Sequence, residues 1–288
     1  MNKVAMLGIG AMGERMAKCL LRAGYQLAVY NRTAARTESL CSAGASGFST
    51  PREAAAASDV IISMVTDDHA SRQVWQHESE GALAAIGSGQ VCVEMSTVTP
   101  DRVLKLAARV DAAGAGFIDA PVVGSRPQAE SGQLVILAGG DPQVVSQVAH
   151  VFAAMAAATR HMGPVGAGAI AKLAVNFLYA TQVAALAELL ALSRQSGIED
   201  ARIASLLGAL PVTSPAAAGA LKLMAAGTYA PMFPIDLVVK DLGYFEALAA
   251  GRRSSAPVAA AVRRVYETAS AAGFGGDNIH GVIKTYAT

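Results

Sequence analysis

Short apolar runs alternate with amphipathic stretches along the N-terminal part of the chain. Val4 to Leu7 reads as a buried strand, Gly13 to Ala23 as a helix and Gln26 to Tyr30 as a second strand; the alanine-rich stretch Pro51 to Ala57 reads as a helix leading into a strand over Val60 to Val65. This βαβ rhythm predicts a parallel sheet with helices on both faces. Further apolar runs at Gln90 to Glu94, Gly116 to Asp119 and Leu134 to Ala138, each bounded by Gly, Pro or polar turn residues, extend the same domain.

Beyond Gly163-Pro164-Val165-Gly166-Ala167-Gly168 the strand pattern stops, and Ala/Leu-rich helices punctuated by Gly, Pro and Ser take over. The division predicted is a nucleotide-binding α/β domain over 1–163 and an all-helical domain over 164–288. The first helix of the second part runs to about Gln195 and is apolar around much of its circumference, so it needs burial on several sides, within its own domain or against a second copy. A homodimer is the expectation, and a monomer by light scattering would refute it. The abundance of alanine itself needs no functional explanation, since alanine favours helix.

Composition narrows the classes. A chain of 288 residues with 53% hydrophobic residues can fill two cores. A net charge of +1 gives no sign of a nucleic-acid partner or an anionic membrane surface, so phosphate recognition must be local. Cys19, Cys41 and Cys92 are widely spaced, with no CxxC pair, and Met1-Asn2-Lys3 leads directly into the first strand without a secretory leader, which fits a cytoplasmic location. The mean hydropathy of +0.38 raises the question of a membrane span at Phe177 to Leu192. That run carries Gln182 and Glu188 and falls short of the roughly 20 apolar residues a span requires, so a buried helix is expected.

Gly8-Ile9-Gly10-Ala11-Met12-Gly13 follows the first strand and opens a helix. In that setting the glycines permit a tight turn, approach of a pyrophosphate to the backbone and close helix–strand packing, while the helix amides face the anion. The second strand ends at Tyr30, where an NAD enzyme usually carries a carboxylate for the ribose; here the residues are Asn31-Arg32-Thr33, with Arg36 a turn further on. A guanidinium pairs with a 2′-phosphate through two hydrogen bonds and a carboxylate would repel it, so NADP(H) is the predicted cofactor. The competing reading takes Arg32 and Arg36 as solvated surface charges. Met64-Val65-Thr66-Asp67 follows another strand end, where open α/β sheets place ligands; its backbone is expected to pass beneath the cofactor ribose, and the competing reading is an ordinary loop.

Lys172 and Asn176 are spaced to share one helix face. Hydride addition to a carbonyl leaves an alkoxide, and a lysine ammonium beside it supplies the proton and stabilises the developing charge. An Ala/Leu-rich neighbourhood is expected to lower the lysine pKa by desolvation.

Taken together, the glycine motif, then Asp119-Ala-Pro-Val-Val-Gly124, Gly166-x-Gly-x-x-x-Lys172-x-x-x-Asn176, and Phe233 with Lys240-Asp241 resemble the β-hydroxyacid dehydrogenase family over the whole chain. Within it, Gly124-Ser125-Arg126-Pro127-Gln128-Ala129-Glu130 with Gly132-Gln133-Leu134 is similar to the glyoxylate and succinic semialdehyde reductase branch, which generally uses NADPH. The resemblance implies a doubly wound Rossmann-type domain joined to an all-α domain, as in 6-phosphogluconate dehydrogenase, acting on a small carbonyl substrate with Lys172 as proton donor and Asn176 beside it. It further implies that Thr97, Val122, Val123, Gly124 and Ser125 line the substrate carboxylate, Thr97 also reaching the cofactor. Phe233 would form part of the pocket, Lys240 would close the cofactor side, and Asp241 would pair with Lys172.

One departure bears on substrate. The family usually has serine where this chain has Val123, and losing such a hydrogen bond costs about 1–3 kcal/mol when a partner is left unsatisfied. Either Ser125 or Arg126 takes over the anion, or the preferred substrate is less acidic than glyoxylate. An imine reductase on the same fold is the alternative; those enzymes commonly have Asp or Tyr where Lys172 stands. A non-catalytic nucleotide-binding module is the third reading, at odds with a complete Lys172 and Asn176 pair. The histidines (His69, His77, His150, His161 and His280) show no HExxH and no zinc spacing with the cysteines, and no metal is expected. No GxSxG elbow, Walker motif or basic stripe interleaved with aromatics is present.

Overall fold

The computed structural model describes residues 1–286. Its chain divides into two compact units, Met1–Lys172 and the remainder from Leu173.

The first unit is a nine-stranded sheet: β1 (Lys3–Leu7), β2 (Gln26–Tyr30), β3 (Ser46–Gly47), β4 (Val60–Ser63), β5 (Val91–Glu94), β6 (Gly116–Asp119), β7 (Val122–Val123), β8 (Leu134–Gly140) and β9 (Ala156–Gly163). The spatial order is β3-β2-β1-β4-β5-β6-β8-β7, with β9 also paired to β8. All three strands β1, β2 and β4 run parallel, and the order of strand addition reverses between β1 and β4, so the loops after β1, β2 and β4 lie at the carboxyl edge where such sheets bind ligands. Alternation along the strands feeds two cores. Val4, Met6, Val60, Ile62, Val91 and Val93 face one layer with Met16 and Leu20 of the helix Gly13–Arg22. Ala5, Leu7, Ile61 and Cys92 face the other, with Trp75, Val103 and Leu106 from the helices Asp68–Gln76 and Pro100–Ala112. A sheet buried on both faces reads as continuous apolar runs, and those runs made β1, β2, β4 and β5 recognisable.

The far edge differs from the parallel sheet expected. β8 runs antiparallel to both β6 and β7, because the connection from Gly124 to Gln133, with the short helix Arg126–Glu130, falls short of the dozen or so residues a parallel crossover needs. β9 was not foreseen; it pairs parallel to β8, yet of its residues only Ala156 is buried, so it carries no apolar run to mark it.

The second unit is helical: most of the helix Ala167–Gln195, then Asp200–Ala209, Pro215–Ala225, Ile235–Gly251 and Pro257–Ala269. Ala180, Val183, Ala187 and Leu190 of the first helix join Leu221, Met224, Val238, Leu242 and Tyr266 in its core. Each fully buried leucine or methionine there contributes about 1.5–3 kcal/mol. The 29-residue helix corrects the length argument made from sequence: small residues extend it on both sides of the apolar run, and by length and composition alone it could cross a membrane. One face, with Ala180, Val183, Ala187 and Leu190, packs into a folded core, while Leu178, Leu189 and Leu192 stay exposed, and Gln182 Oε1 accepts a hydrogen bond from Ser214 N at 3.2 Å.

Candidate active site

The turn after β1 is built by its glycines. Gly8 has φ of +102°, and a Cβ there would strike the Met64 carbonyl oxygen and lie 2.9 Å from Val65 Cγ1. A Cβ on Gly13 would run into the Gly8 carbonyl oxygen, whereas one on Gly10 would meet nothing within 4 Å. Two glycines therefore allow the chain to pack on itself and the third leaves the backbone approachable from outside, which fits a pyrophosphate. The turn is braced by Gly8 N donating to Tyr30 O at 2.9 Å and Ile9 N to Asn31 Oδ1 at 3.0 Å; Asn31 Nδ2 in turn donates to Thr33 O at 2.9 Å. Asn31 thus locks the first turn to the second. Ala11 is exposed and Met12 half-buried at the start of the helix, and Arg32, Thr33 and Arg36 are exposed beyond the end of β2.

Next to this turn lies a buried network that sequence reasoning missed. Glu94, at the end of β5, is fully buried. Its Oε1 accepts from Ser63 Oγ at 2.6 Å and Ser96 N at 3.0 Å, and its Oε2 from Ser71 Oγ at 2.7 Å and Trp75 Nε1 at 3.0 Å. Arg102 Nε donates to Ser71 Oγ at 3.0 Å; burial pushes this guanidinium's pKa down, and the Glu94 charge opposes the shift. Ser96 Oγ then accepts from Val65 N at 2.8 Å, so one carboxylate orients both the Met64-Val65 loop and the loop bearing half-buried Thr97. A glutamate inside the run Val91-Cys-Val-Glu94-Met-Ser96 is the signal that could have exposed it.

Asp119, also fully buried, caps the start of the long helix. Its Oδ1 accepts from Gly166 N and its Oδ2 from Ala169 N, both at 2.8 Å. Burial raises its pKa from 3.8 to about 6, against the pull of these amides. Gly168 is required here, since a Cβ would lie 2.7 Å from Asp119 O. Lys172 follows within the second turn of this helix and is half-buried. Val122 and Val123 pair with Ile136 and Val135 as β7. At Gly124, φ is +127° and a Cβ would lie 2.9 Å from Leu134 Cδ2, so the chain turns sharply just after the position of the departure. Ser125 N donates to Gln128 Oε1 at 3.0 Å, while Ser125 Oγ and Arg126 Nε are buried with no hydrogen-bond partner among the described residues.

In the helical unit, Asn176 Nδ2 donates to Asp241 Oδ2 at 2.6 Å, and Lys240 Nζ lies 3.0 Å from Asp241 Oδ1. Asp241 is 4% exposed, so these contacts lie in the interior of the unit. Lys240 also stands 5.0 Å over the Tyr244 ring. Phe233 N donates to Asn278 Oδ1 at 2.7 Å, fixing the backbone of the candidate pocket residue. Among the described residues no group of three or more His, Cys, Asp or Glu is arranged to hold a metal ion.

Residues 3–163 match the family model for the NAD-binding domain of 6-phosphogluconate dehydrogenase, and residues 166–286 match that for the NAD-binding domain of NADP-dependent 3-hydroxyisobutyrate dehydrogenase. The chain belongs to the β-hydroxyacid dehydrogenase family. This dehydrogenase is 32% identical to glyoxylate/succinic semialdehyde reductase 1 of Arabidopsis thaliana, over 98% of its own length and 97% of the relative's. It is also 32% identical to the NAD-dependent L-serine dehydrogenase of Pseudomonas aeruginosa, covering 92% and 91% of the two chains. The solved structure of Mycobacterium tuberculosis 3-hydroxyisobutyrate dehydrogenase with L-serine superposes with a TM-score of 0.90 at 25% identity, over 100% of both chains. The dehydrogenase is thus an NAD(P)-dependent oxidoreductase acting on the CH–OH group of a small molecule. Its Rossmann-type sheet and helical second unit are those of the family.

Proposed function

We propose that this dehydrogenase uses NADPH to reduce a small aldehyde or keto acid of the glyoxylate and succinic semialdehyde type to its hydroxy acid, with Lys172 as general acid. The observation that carries the reading is the fixing of the helix start that bears Lys172: the buried Asp119 holds its first amides, Gly166 N and Ala169 N. A helix anchored in this way keeps a proton donor in a set position, which general acid catalysis requires.

The bound dinucleotide supplies the hydride in the direction of reduction. Gly8, Gly10 and Gly13, with the amides of Ala11 and Met12, would hold its pyrophosphate; Met64, Val65, Thr97 and Lys240 are assigned to its remaining contacts, and Arg32 and Arg36 with Thr33 to a 2′-phosphate. Lys172 Nζ gives its proton to the carbonyl oxygen as negative charge develops there, and takes it back in the reverse reaction. Asn176 orients the same oxygen from the next turn. Phe233 closes the pocket on the substrate's carbon chain.

For the substrate carboxylate, Arg126 and Ser125 are favoured over Val123: the buried Arg126 Nε has no hydrogen-bond partner among the described residues, and Ser125, which starts the helix Arg126–Glu130, offers a hydroxyl beside it. The protein is further assigned as a homodimer. Val175, Leu178, Leu189 and Leu192 of the long helix remain 38–60% exposed, an apolar stripe that a second copy would cover.

The test is NADPH oxidation, followed by its near-ultraviolet absorbance, against glyoxylate, succinic semialdehyde, other aldehyde acids and cyclic imines, repeated with NADH. Turnover of an aldehyde acid with NADPH preferred supports the proposal. Imine turnover alone would transfer the reading to an imine reductase, the one observation in favour of which is Val123.

A further inference from the structure

The segment from Gly227 to Pro234, which carries Phe233, has no regular secondary structure, so its backbone polar groups must find partners elsewhere. They find them in a cluster close to the end of the chain. Asn278 Oδ1 accepts from both Met232 N at 3.2 Å and Phe233 N at 2.7 Å; Ile279 N donates to Phe233 O at 2.8 Å, and Asn278 N to Tyr229 O at 3.1 Å. Asn278 is 3% exposed and His280 is 1% exposed.

The donor and acceptor roles in this cluster are fully determined. Because Asn278 Oδ1 takes two amide hydrogens, its NH2 must face His280, 2.9 Å away, and His280 Nδ1 must accept. The other ring nitrogen, Nε2, lies 2.5 Å from the Thr228 carbonyl oxygen, which can only accept, so Nε2 carries the hydrogen. A neutral imidazole of a single tautomer therefore fixes the asparagine amide, and the amide fixes Phe233. Burial, the largest influence, pushes the His280 pKa down and keeps it neutral; the Thr228 hydrogen bond and the Asp277 charge oppose this. The charged groups nearby are Asp277 and Lys284, themselves paired at 2.7 Å, and Lys284 stands 4.5 Å over the Tyr229 ring, which is 5.7 Å from the imidazole.

We propose that Asn278 and His280 are positioning residues of the substrate pocket, holding the backbone of Phe233 so that its ring meets the carbonyl substrate in one place. The inference rests on the assignment of Phe233 to that pocket. Neither residue touches the substrate; each acts through Phe233. Protonation of His280 would turn Nδ1 into a donor facing the Asn278 NH2, so the hold weakens as pH falls through the lowered His280 value, and substrate KM rises at the acidic end while NADPH affinity stays level.

The test uses the full-length protein with NADPH and succinic semialdehyde. Asn278→Ala and His280→Phe should each raise KM about tenfold or more with a much smaller change in kcat and in NADPH Kd. Asn278→Asp, which still accepts both amides and can pair with a protonated His280, should recover most of the lost KM. Phe233→Ala serves as the reference: if it raises KM while Asn278→Ala does not, the positioning role is wrong and the pocket assignment stands. If Phe233→Ala leaves KM unchanged, the pocket assignment fails and the inference falls with it. Should the variants fold poorly, hydrogen exchange at the Phe233 amide of the unmodified protein decides the matter. Protection that drops at acidic pH, after correction for intrinsic rates, supports the role, and a fast-exchanging amide at neutral pH overturns it.

Discussion

Replacing Asp119 by asparagine separates two opposing contributions of one buried carboxylate. Asp119 accepts two helix amides, and a hydrogen bond to a charged group contributes about 1.5–3 kcal/mol. It is also fully buried, and the rise of its pKa from 3.8 to about 6 means that desolvation of the ionised form exceeds the help from those amides by about 3 kcal/mol. A raised carboxylate pKa means that the folded state binds the proton more tightly than the unfolded chain. The resulting stabilisation is complete below pH 3.8 and is lost as pH rises through about 6. Asp119→Asn does not titrate, so the difference in stability between the two proteins should change by about 3 kcal/mol over that window, moving in the variant's favour as pH rises, and level off above it. For a unit of this size the change corresponds to about 6–12 °C in the relative Tm. Thermal unfolding of both proteins across the window, each scan monitoring the sheet-containing unit, measures it. A difference in Tm that stays constant across the window would show that Asp119 is not held in the raised state and would refute the reasoning.

The other predictions bear on the nucleotide turn and its support. Gly10→Ala adds a methyl group in open space and should leave Tm almost unchanged while weakening NADPH binding about tenfold or more, because the methyl stands where the pyrophosphate approaches; Gly13→Ala should instead destabilise the fold by about 1–3 kcal/mol, its Cβ meeting the Gly8 carbonyl. Comparing Kd by titration with Tm by calorimetry checks both. Arg32→Ala should weaken NADPH binding about 10- to 100-fold and leave NADH unaffected, read from the ratio of kcat/KM for the two cofactors. Glu94→Ala leaves the buried donors of Ser63, Ser71 and Ser96 without the acceptor they share, while Trp75 Nε1 keeps Ser63 Oγ, and should cost about 3 kcal/mol or more by chemical denaturation.

The nucleotide-binding half was legible because its central strands are buried on both faces and its glycines serve backbone geometry, so pattern and spacing both carry the signal. The sheet's far edge was harder to read: β7 has only two residues, and β9 alternates too little to stand apart from a loop. Lys172 and Asn176 were singled out by the family motif, with their helical spacing in support. Asp241 accepts a hydrogen bond from Asn176, which joins residues far apart in the chain, a pairing that spacing cannot reveal. Glu94 and the Asn278–His280 pair were missed for the same reason. Glu94 matters through the side chains of Ser63, Ser71 and Trp75, and Asn278 through the amides of Met232 and Phe233, all on segments that only the fold brings near.

Lys172→Ala, assayed for NADPH-dependent reduction of glyoxylate and succinic semialdehyde, tests the central claim most directly. The account predicts a fall in kcat of about 10²–10⁴ with NADPH Kd nearly unchanged, the usual worth of a positioned general acid. A variant that keeps most of its kcat would contradict it and remove the lysine from the chemistry.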